Sequence, residues 1–432
     1  MYKTLQYRYT PKKNERSLLK LLCHISKNLY NSALYELRQI YFQTNKTHSK
    51  SELTSLLKSN ENFTLLNTCS STNIIHNAYT TFNNFTKGYN KLPKYLKQND
   101  YYLLYNEQIR PITINKEKYI KLPLSSLAKS SKTFNKMFED ELINKFIRES
   151  ELKRSFYIYF KIPKPILDKT IKQLRIVPLF KGLTYNIEFV YIAEQPSFIT
   201  YKSNNLMAID LGINNLATCV TSNNEALIMD GRYLKSLNRF YNKRLALLKT
   251  KKPNQKKLTL MEYKVTDKRN RQIKDAIYKA AKQVITYSIK KEISEIIVGY
   301  NKNFKLTGVK KQNSKSTNQR FNQNFFYIPL SKFKDRLKIL CHEQGIIYTE
   351  TSEAYTSKCS FYDNEEIKFH KNYQGIRLNR GLFQTKDKKI VNADVNAALN
   401  IMRKCKPERQ DIYQALRNRG QVLPIRQKIK LN

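Results

Sequence analysis

Two short motifs constrain the fold of this chain most strongly, because each joins a secondary-structure pattern to one aspartate. The first motif reads LMAIDLGINNLATCV (206–220); its two apolar runs flank Gly212 and predict a β-hairpin with Asp210 near the end of the first strand. The second reads VNADVNAALNIM (391–402); its helical spacing predicts a helix that begins near Asp394. Either aspartate alone could be purely structural, as a hairpin residue or a helix cap.

A nuclease site would account for both aspartates at once. Such a site holds two hard cations about 3.5–4 Å apart around a phosphodiester, and it needs carboxylates from separate elements. The two motifs therefore predict the two ends of one metal-dependent nuclease site, with Asp210 and Asp394 as ligands.

The net charge indicates the class of binding partner. The chain has 79 Lys and Arg against 34 Asp and Glu, a formal charge of +45. Such a field attracts polyanions, with an affinity that falls as salt rises. Its 30 Tyr and 21 Phe are interleaved with basic residues, as in 87–110, which suits base stacking beside phosphate neutralisation. An AT-rich genome would also enrich Lys and Asn, but it would not favour Lys over acidic residues so strongly.

Length and cysteine usage limit the remaining classes. A chain of 432 residues with 41% apolar content is long enough for two or three domains. No apolar run approaches the roughly 20 residues that span a membrane, and the N-terminus lacks a signal-peptide core. The six cysteines form no Cys-x-x-Cys pair, so reduced thiols are expected. We therefore expect a soluble intracellular protein with no membrane partner.

Hydrophobic periodicity predicts strands and helices along the whole chain. Strand patterns that we expect to form one small barrel occur at 2–10, 119–126, 155–167 and 183–194. Further strands are expected within 294–305 and 345–360. Helical spacing occurs at 15–43, 51–87, 132–151, 234–249, 267–291 and 329–344. The polar segments indicate a basic loop that could order on nucleic acid at 307–325, and a nuclear signal or a disordered basic tail at 417–432.

The order of four motifs resembles a known family. These motifs are IDLGINNLAT, IIVGYNK, EAYTSKCS and NADVNAALNI, and they extend over roughly residues 200–402. They are similar to the TnpB proteins of bacterial transposons and to their eukaryotic and viral relatives, the Fanzor proteins, which are related to the compact type V CRISPR nucleases. The resemblance implies an RNA-guided DNA endonuclease encoded by a transposable element, with guide RNA and target double-stranded DNA as partners.

The resemblance also implies an α+β multidomain fold, with an RNase H-like (RuvC) nuclease domain, an N-terminal wedge β-barrel and an inserted helical recognition domain. A degenerate zinc-ribbon-like insert that binds target nucleic acid and a basic tail would complete the chain. In this sequence the expected ranges are the barrel at 1–12 and 88–201, the recognition domain at 13–87, the nuclease domain at 202–357 and 392–410, the insert at 358–391 and the tail at 411–432.

The chain departs from the family pattern in its central strand. Much of the family ends that strand in a catalytic glutamate, where this sequence has Gly299 or Tyr300. The Fanzor branch supplies the carboxylate from a later segment, which makes Glu353 the first candidate and Glu350 the second. A separation of three residues puts these two on opposite faces of a strand, so only one can reach the site. Glu353 could also be an ordinary surface acid.

A second departure concerns zinc. Family members commonly carry two Cys-x-x-Cys pairs before the last aspartate, but here only Cys359 and a distant His370 occur. One Cys, one Asp (Asp363) and one His do not complete a tetrahedral site, so structural zinc is not expected, and a vestigial zinc site through Cys359 and His370 stays open as the alternative. We expect the insert to turn Arg377 and Arg380 toward nucleic acid. Its expected packing residues are Phe361, Tyr362, Tyr373, Leu378, Leu382 and Phe383.

The predicted site therefore consists of Asp210, Glu353 and Asp394, as catalytic residues and as ligands of two Mg²⁺ ions, with Mn²⁺ as an alternative. Two rival functions stay open: a catalytically inactive RNA-guided DNA-binding protein, and an RNase H-like transposase that joins strands itself. The sequence does not decide between monomer and dimer. The host would decide the location, which is cytoplasmic or nucleoid-associated in a bacterium and nuclear for a eukaryotic or viral protein.

Overall fold

The structure is a computed structural model that describes residues 2–123, 125, 157–194, 203–253, 258–300, 328–379 and 381–430. The chain divides into two compact units, Met1–Glu194 and Gln195–Asn432. Both units combine helices with sheets, so the predicted α+β multidomain class is confirmed. The predicted helix at 132–151 and loop at 307–325 lie outside the described residues, as does Arg380.

The first unit has a group of helices between its first strand and its remaining strands. In chain order its elements are β1 (Tyr2–Tyr9), α1 (Lys13–Thr44), α2 (Lys50–Leu56), α3 (Glu61–Leu65), α4 (Thr68–Thr86), β2 (Leu104–Asn106), β3 (Pro111–Ile114), β4 (Glu117–Pro123), β5 (Tyr157–Lys161), β6 (Ile171–Leu179) and β7 (Thr184–Ile192). The spacing of buried Leu22, Ile25 and Leu29 explains the long helix α1, because these side chains share one face. The expected helices at 15–43 and within 51–87 are confirmed.

The strands of this unit form two antiparallel sheets, in the orders β1-β7-β6-β2 and β3-β4-β5. Leu5 pairs with Phe189 in the first sheet, and Ile120 pairs with Phe160 in the second. Ile120, Phe160 and Phe189 belong to one apolar core, which also contains side chains of the helices. All four strands expected in the barrel exist, but the described strands lie in two sheets, so closure of a barrel stays a prediction.

The second unit begins with the predicted β-hairpin and alternates strands with long helices. In chain order its elements are β8 (Asn205–Leu211), β9 (Asn215–Thr221), β10 (Ala226–Asp230), α5 (Arg232–Thr250), α6 (Leu260–Lys290), β11 (Ile293–Tyr300), α7 (Leu330–Glu343), β12 (Ile347–Ser352), β13 (Ile376–Asn379), β14 (Leu382–Gln384), β15 (Ile390–Asn392), α8 (Ala393–Cys405), α9 (Gln410–Asn418) and β16 (Pro424–Gln427). These bounds confirm the helices predicted at 234–249, 267–291 and 329–344. In the part of the chain that the structure describes, no helix is both long and apolar enough to cross a bilayer.

Six of these strands form one mixed sheet in the order β12-β11-β8-β9-β10-β16. The three strands β8, β9 and β10 are antiparallel neighbours, whereas β11, β12 and β16 each run parallel to the strand they join. Strand alternation gives this sheet two apolar faces. Met207 and Ile209 pack in a core with α6 and α7, while Ala208 and Ile297 pack in a core with α8. The second of these, the α8 face, carries the candidate site.

Two predictions for the C-terminal part are wrong. Residues 424–427 form β16 on β10, and Arg426 lies 3.7 Å from the buried carboxylate of Asp230, so this segment is a sheet strand rather than a disordered tail. In the insert, Leu378 and Leu382 are 47% and 40% exposed instead of packed. The reason is that β13, which carries Leu378, is exposed along its whole length at one edge of the small sheet β13-β14-β15.

Candidate active site

Asp210 lies on the α8 face of the mixed sheet, near the carboxyl end of the central strand β8. It follows the buried Ala208 by two residues, so strand alternation points both side chains toward that face. Across the hairpin it pairs with Thr218 of β9, and directly opposite residues share a face. The Thr218 hydroxyl is buried and has no hydrogen-bond partner among the described residues.

Asp394 is in the first turn of α8, the helix that covers this face, as the sequence predicts. The side chain of Asn392 caps the helix by accepting hydrogen bonds from the N–H of Asp394 at 3.0 Å and of Val395 at 3.1 Å. Asp394 Oδ2 accepts a hydrogen bond from Asn215 Nδ2 at 2.6 Å. Its other oxygen, Oδ1, lies 3.4 Å from Nη2 of Arg377.

Glu353 follows directly after β12, the edge strand that pairs with β11, and it lies beside Gly299 of β11. A Cβ atom on Gly299 of β11 would lie 3.6 Å from Glu353 Cβ, so the glutamate begins beside the strand position that lacks a carboxylate. Glu350 has different partners: its carboxylate pairs with Lys334 of α7 at 2.6 Å and accepts from the Tyr348 hydroxyl at 3.1 Å. The two glutamates therefore face different helices, as their three-residue separation predicts.

The turn that begins at Glu353 is held by asparagines of α8. The carbonyl oxygen of Glu353 accepts a hydrogen bond from the Thr356 hydroxyl at 2.8 Å, and the carbonyl oxygen of Thr356 accepts one from Asn400 at 3.0 Å. Asn396, one helical turn earlier, donates to the carbonyl oxygen of Cys359 at 2.9 Å. The EAYTSKCS and NADVNAALNI motifs are therefore one hydrogen-bonded assembly that places Glu353.

The three carboxylates are linked electrostatically through Asp210. Burial, followed by the negative charges of Asp394 and Glu353, raises the pKa of Asp210 well above its usual range, while Arg377 opposes this shift. Burial also raises the pKa of Glu353. Glu353 is thus half-buried among other acids rather than a freely exposed surface residue.

The carboxylate oxygens of Asp210, Glu353 and Asp394 suit a hard cation, but in this structure the three side chains are not arranged around one. Three carboxylates supply the oxygen ligands that Mg²⁺ and Mn²⁺ prefer, and burial together with the charges of Asp394 and Glu353 raises the pKa of Asp210. Across the residues that the structure describes, no group of three or more His, Cys, Asp or Glu side chains is arranged to hold a metal ion. Cation binding would therefore require these side chains to move closer together.

Three residues around the carboxylates were not predicted from the sequence: Asn215, Thr218 and Arg377 in this role. Asn215 is the first residue of β9, where no sequence signal marks it, and its partner Asp394 is 179 residues away. Arg377 was expected to face nucleic acid, yet its guanidinium, on the exposed strand β13, contacts Asp394. Only the folded chain brings these pairs together.

Cys359 and His370 have separate partners. The Cys359 thiol donates to the carbonyl oxygen of Lys368 at 3.6 Å, whereas Nε2 of His370 lies 2.8 Å from the carbonyl oxygen of Glu366. The thiol is buried, and burial raises its pKa above the usual range. Because each side chain has its own hydrogen-bond partner, we assign no chemistry to this pair.

Family models match two segments of the chain. The model described as a probable transposase (OrfB_IS605) matches residues 190–305, and the model described as Cas12f1-like, TNB domain, matches residues 331–401. A solved structure, the "Cryo-EM structure of the Cas12f1-sgRNA-target DNA complex", is similar with a TM-score of 0.56 and 14% identity, over 90% of this chain and 83% of that chain. Over these two segments the chain is similar to TnpB-type transposases and to Cas12f1-like proteins.

The matched segments include the three carboxylates, because the first contains Asp210 and the second contains Glu353 and Asp394. A second solved structure, that of the "mini-RNA-guided endonuclease CRISPR-Cas_phi3", is similar with a TM-score of 0.44 and 12% identity, over 93% of this chain and 92% of that chain. No curated protein sequence matches the chain. The similarity to the Cas12f1 structure shows a shared α+β fold.

Proposed function

We propose that this protein is an RNA-guided DNA endonuclease encoded by a transposable element. The observation that carries the proposal is that Asp210, Glu353 and Asp394 come from three separate motifs, with Asp210 on the α8 face of the sheet and Asp394 in the first turn of α8 itself. Their effect on the pKa of Asp210 supports this grouping. The family matched at 190–305 is described as a probable transposase, which favours a protein encoded by a transposable element. The similar Cas12f1 structure contains guide RNA and target DNA, which favours RNA-guided action on DNA here.

Asp210, Glu353 and Asp394 would hold two Mg²⁺ ions, or Mn²⁺, through carboxylate oxygens. When bound, such a pair of cations supplies an activated water and stabilises the leaving 3′ oxygen. The protein's own part is to present the ligands. The turn bonded to α8 fixes Glu353, and the Asn392 cap fixes the backbone of Asp394 at a helix N-terminus, whose partial positive charge favours a carboxylate.

The two units would have different tasks. The mixed sheet of the second unit, with three antiparallel strands followed by parallel strands and helices, supports its assignment as the RNase H-like (RuvC) nuclease domain. The first unit would supply the wedge barrel and the recognition helices that bind guide RNA. A charge of +45 favours binding of both RNA and double-stranded DNA, while base pairing with the guide would select the sequence. The proposal holds for a monomer or a dimer.

Co-expression with the flanking locus tests this proposal directly. The protein is purified, its bound RNA is sequenced, and cleavage of matched DNA in Mg²⁺ is measured for wild type, Asp210→Ala, Glu353→Gln and Glu350→Gln. Glu350 is the matched control, because it is a nearby glutamate of β12 that pairs with Lys334 instead of the cluster. We expect one defined RNA, with cleavage lost in the Asp210 and Glu353 variants and kept in the Glu350 variant.

The other outcomes identify the rival functions. Defined RNA and target binding without cleavage in the wild type would mean an RNA-guided binder that is catalytically inactive. Strand joining in the absence of RNA would mean an RNase H-like transposase. Loss of cleavage in Glu350→Gln but not in Glu353→Gln would move the third carboxylate to Glu350.

A further inference from the structure

Asn215 makes a contact that the three carboxylates alone do not explain. Its side-chain nitrogen donates to Asp394 Oδ2 at 2.6 Å, a short hydrogen bond between a half-buried amide and a half-buried carboxylate. An ionised carboxylate only accepts hydrogen bonds, so the nitrogen rather than the oxygen of the amide must face it. The bond occupies one side of Oδ2, while the other oxygen, Oδ1, lies 3.4 Å from Arg377, with which a cation would compete.

The hairpin that carries Asn215 leaves little freedom for its backbone. The N–H of Gly212 donates to the carbonyl oxygen of Leu216 at 3.3 Å, and the N–H of Gly231 donates to the carbonyl oxygen of Asn214 at 2.7 Å. A Cβ atom on Gly212 would lie 2.5 Å from the carbonyl oxygen of Asn215, so no larger residue fits there without moving the chain. The amide of Asn215 is therefore presented from a tightly fixed turn, next to the strand that carries the first aspartate.

We propose that Asn215 is a positioning residue that orients the Asp394 carboxylate for cation binding; this inference rests on the proposed function. A neutral amide suits the task, because it fixes the carboxylate plane without cancelling the charge that attracts the cation. Partners that hold metal ligands by hydrogen bonds affect metal affinity or activity by roughly 10–100-fold. The amide acts through Asp394 and does not itself contact substrate.

The neighbouring Asn214 offers a matched control. Its side chain accepts a hydrogen bond from Lys235 at 2.7 Å and is next to Asn215 in the chain, but among the described residues it makes no hydrogen bond to Asp394. We would compare Asn215→Ala, Asn215→Leu and Asn214→Ala in the full chain. Mn²⁺ binding is measured without nucleic acid, and the Mg²⁺ dependence of target cleavage is measured with the guide RNA complex.

Both Asn215 variants should weaken Mn²⁺ binding and raise the Mg²⁺ concentration for half-maximal cleavage by roughly 10–100-fold, with cleavage partly restored at high Mg²⁺. Asn214→Ala should match wild type, and thermal unfolding should confirm that all three variants fold. Unchanged cation dependence in the Asn215 variants, or an equal change in Asn214→Ala, would overturn the inference while leaving the proposed function intact. A wild type with neither saturable Mn²⁺ binding nor cleavage would overturn both.

Discussion

Packing against Ile401 leaves no room for a side chain at Gly299. A double-mutant cycle of Gly299 and Ile401 would measure the energy of this steric conflict. A Cβ atom on Gly299 would lie 2.4 Å from Cδ1 of the fully buried Ile401. Adding a methyl group to a packed core costs about 1–3 kcal/mol, offset by roughly 0.4–1 kcal/mol because alanine restricts the unfolded chain. We expect Gly299→Ala to destabilise the second unit by about 1–2 kcal/mol.

Ile401→Val removes the atom that clashes, and alone it should cost about 0.5–1.5 kcal/mol. In the double variant the alanine methyl group fills the vacated space, so its loss of stability should be smaller than the sum by about 1–2 kcal/mol. Urea denaturation followed by far-ultraviolet circular dichroism suits this chain, which contains no Trp. Additive effects, within about 0.5 kcal/mol, would refute the packing explanation.

Three further predictions concern charge. Because the pKa of Asp210 is raised in the folded state, the folded chain binds more protons than the unfolded chain above pH 3.8, and without divalent cations its stability falls as pH rises. Asp210→Asn should therefore unfold at a higher temperature than wild type at neutral pH. A lower unfolding temperature would contradict this. Hydrogen bonds from Lys252 and then Thr259 lower the pKa of Glu262 from 4.5 to about 2. Its carboxylate therefore stabilises the fold above pH 4.5, and this contribution is lost as pH falls toward 2. Glu262→Gln should be less stable than wild type in urea titrations at neutral pH, and the difference should shrink in acid. Arg377→Gln removes a positive group that competes with cations for Asp394. Calorimetry without nucleic acid should therefore show tighter Mn²⁺ binding than in wild type. Equal or weaker binding would rule out competition.

Local patterns were sufficient for the parts of the site that depend on one element. The strand of Asp210 and the capped helix of Asp394 follow from periodicity and from Asn392 just before the helix. Alternation alone separates Glu350 from Glu353, and the structure gives them different partners. Their role as metal ligands stays a prediction, because it depends on cation binding.

Contacts between distant segments were not predictable in this way. The PIRQ segment of β16 has no strand alternation, and its place is set by pairing with β10 and by the approach of Arg426 to Asp230. Asn215 begins β9 directly after a polar turn that would suit any hairpin, so only the folded chain shows that it contacts Asp394. The strands β2, β3 and β6 were missed, since short or mixed-polarity strands gain their stability from neighbours across the sheet.

The order of synthesis gives the α8 face a particular risk. Asn215 and Asp394 are 179 residues apart, so at about 5–20 residues per second the ribosome makes α8 roughly 10–40 s after the hairpin. During that interval the nascent chain lacks Asp394, and one face of its mixed sheet is not covered by α8. The uncovered apolar residues are Leu206, Ala208, Val220 and Ile297. A product that terminates before α8 is therefore an aggregation-prone fragment that lacks Asp394.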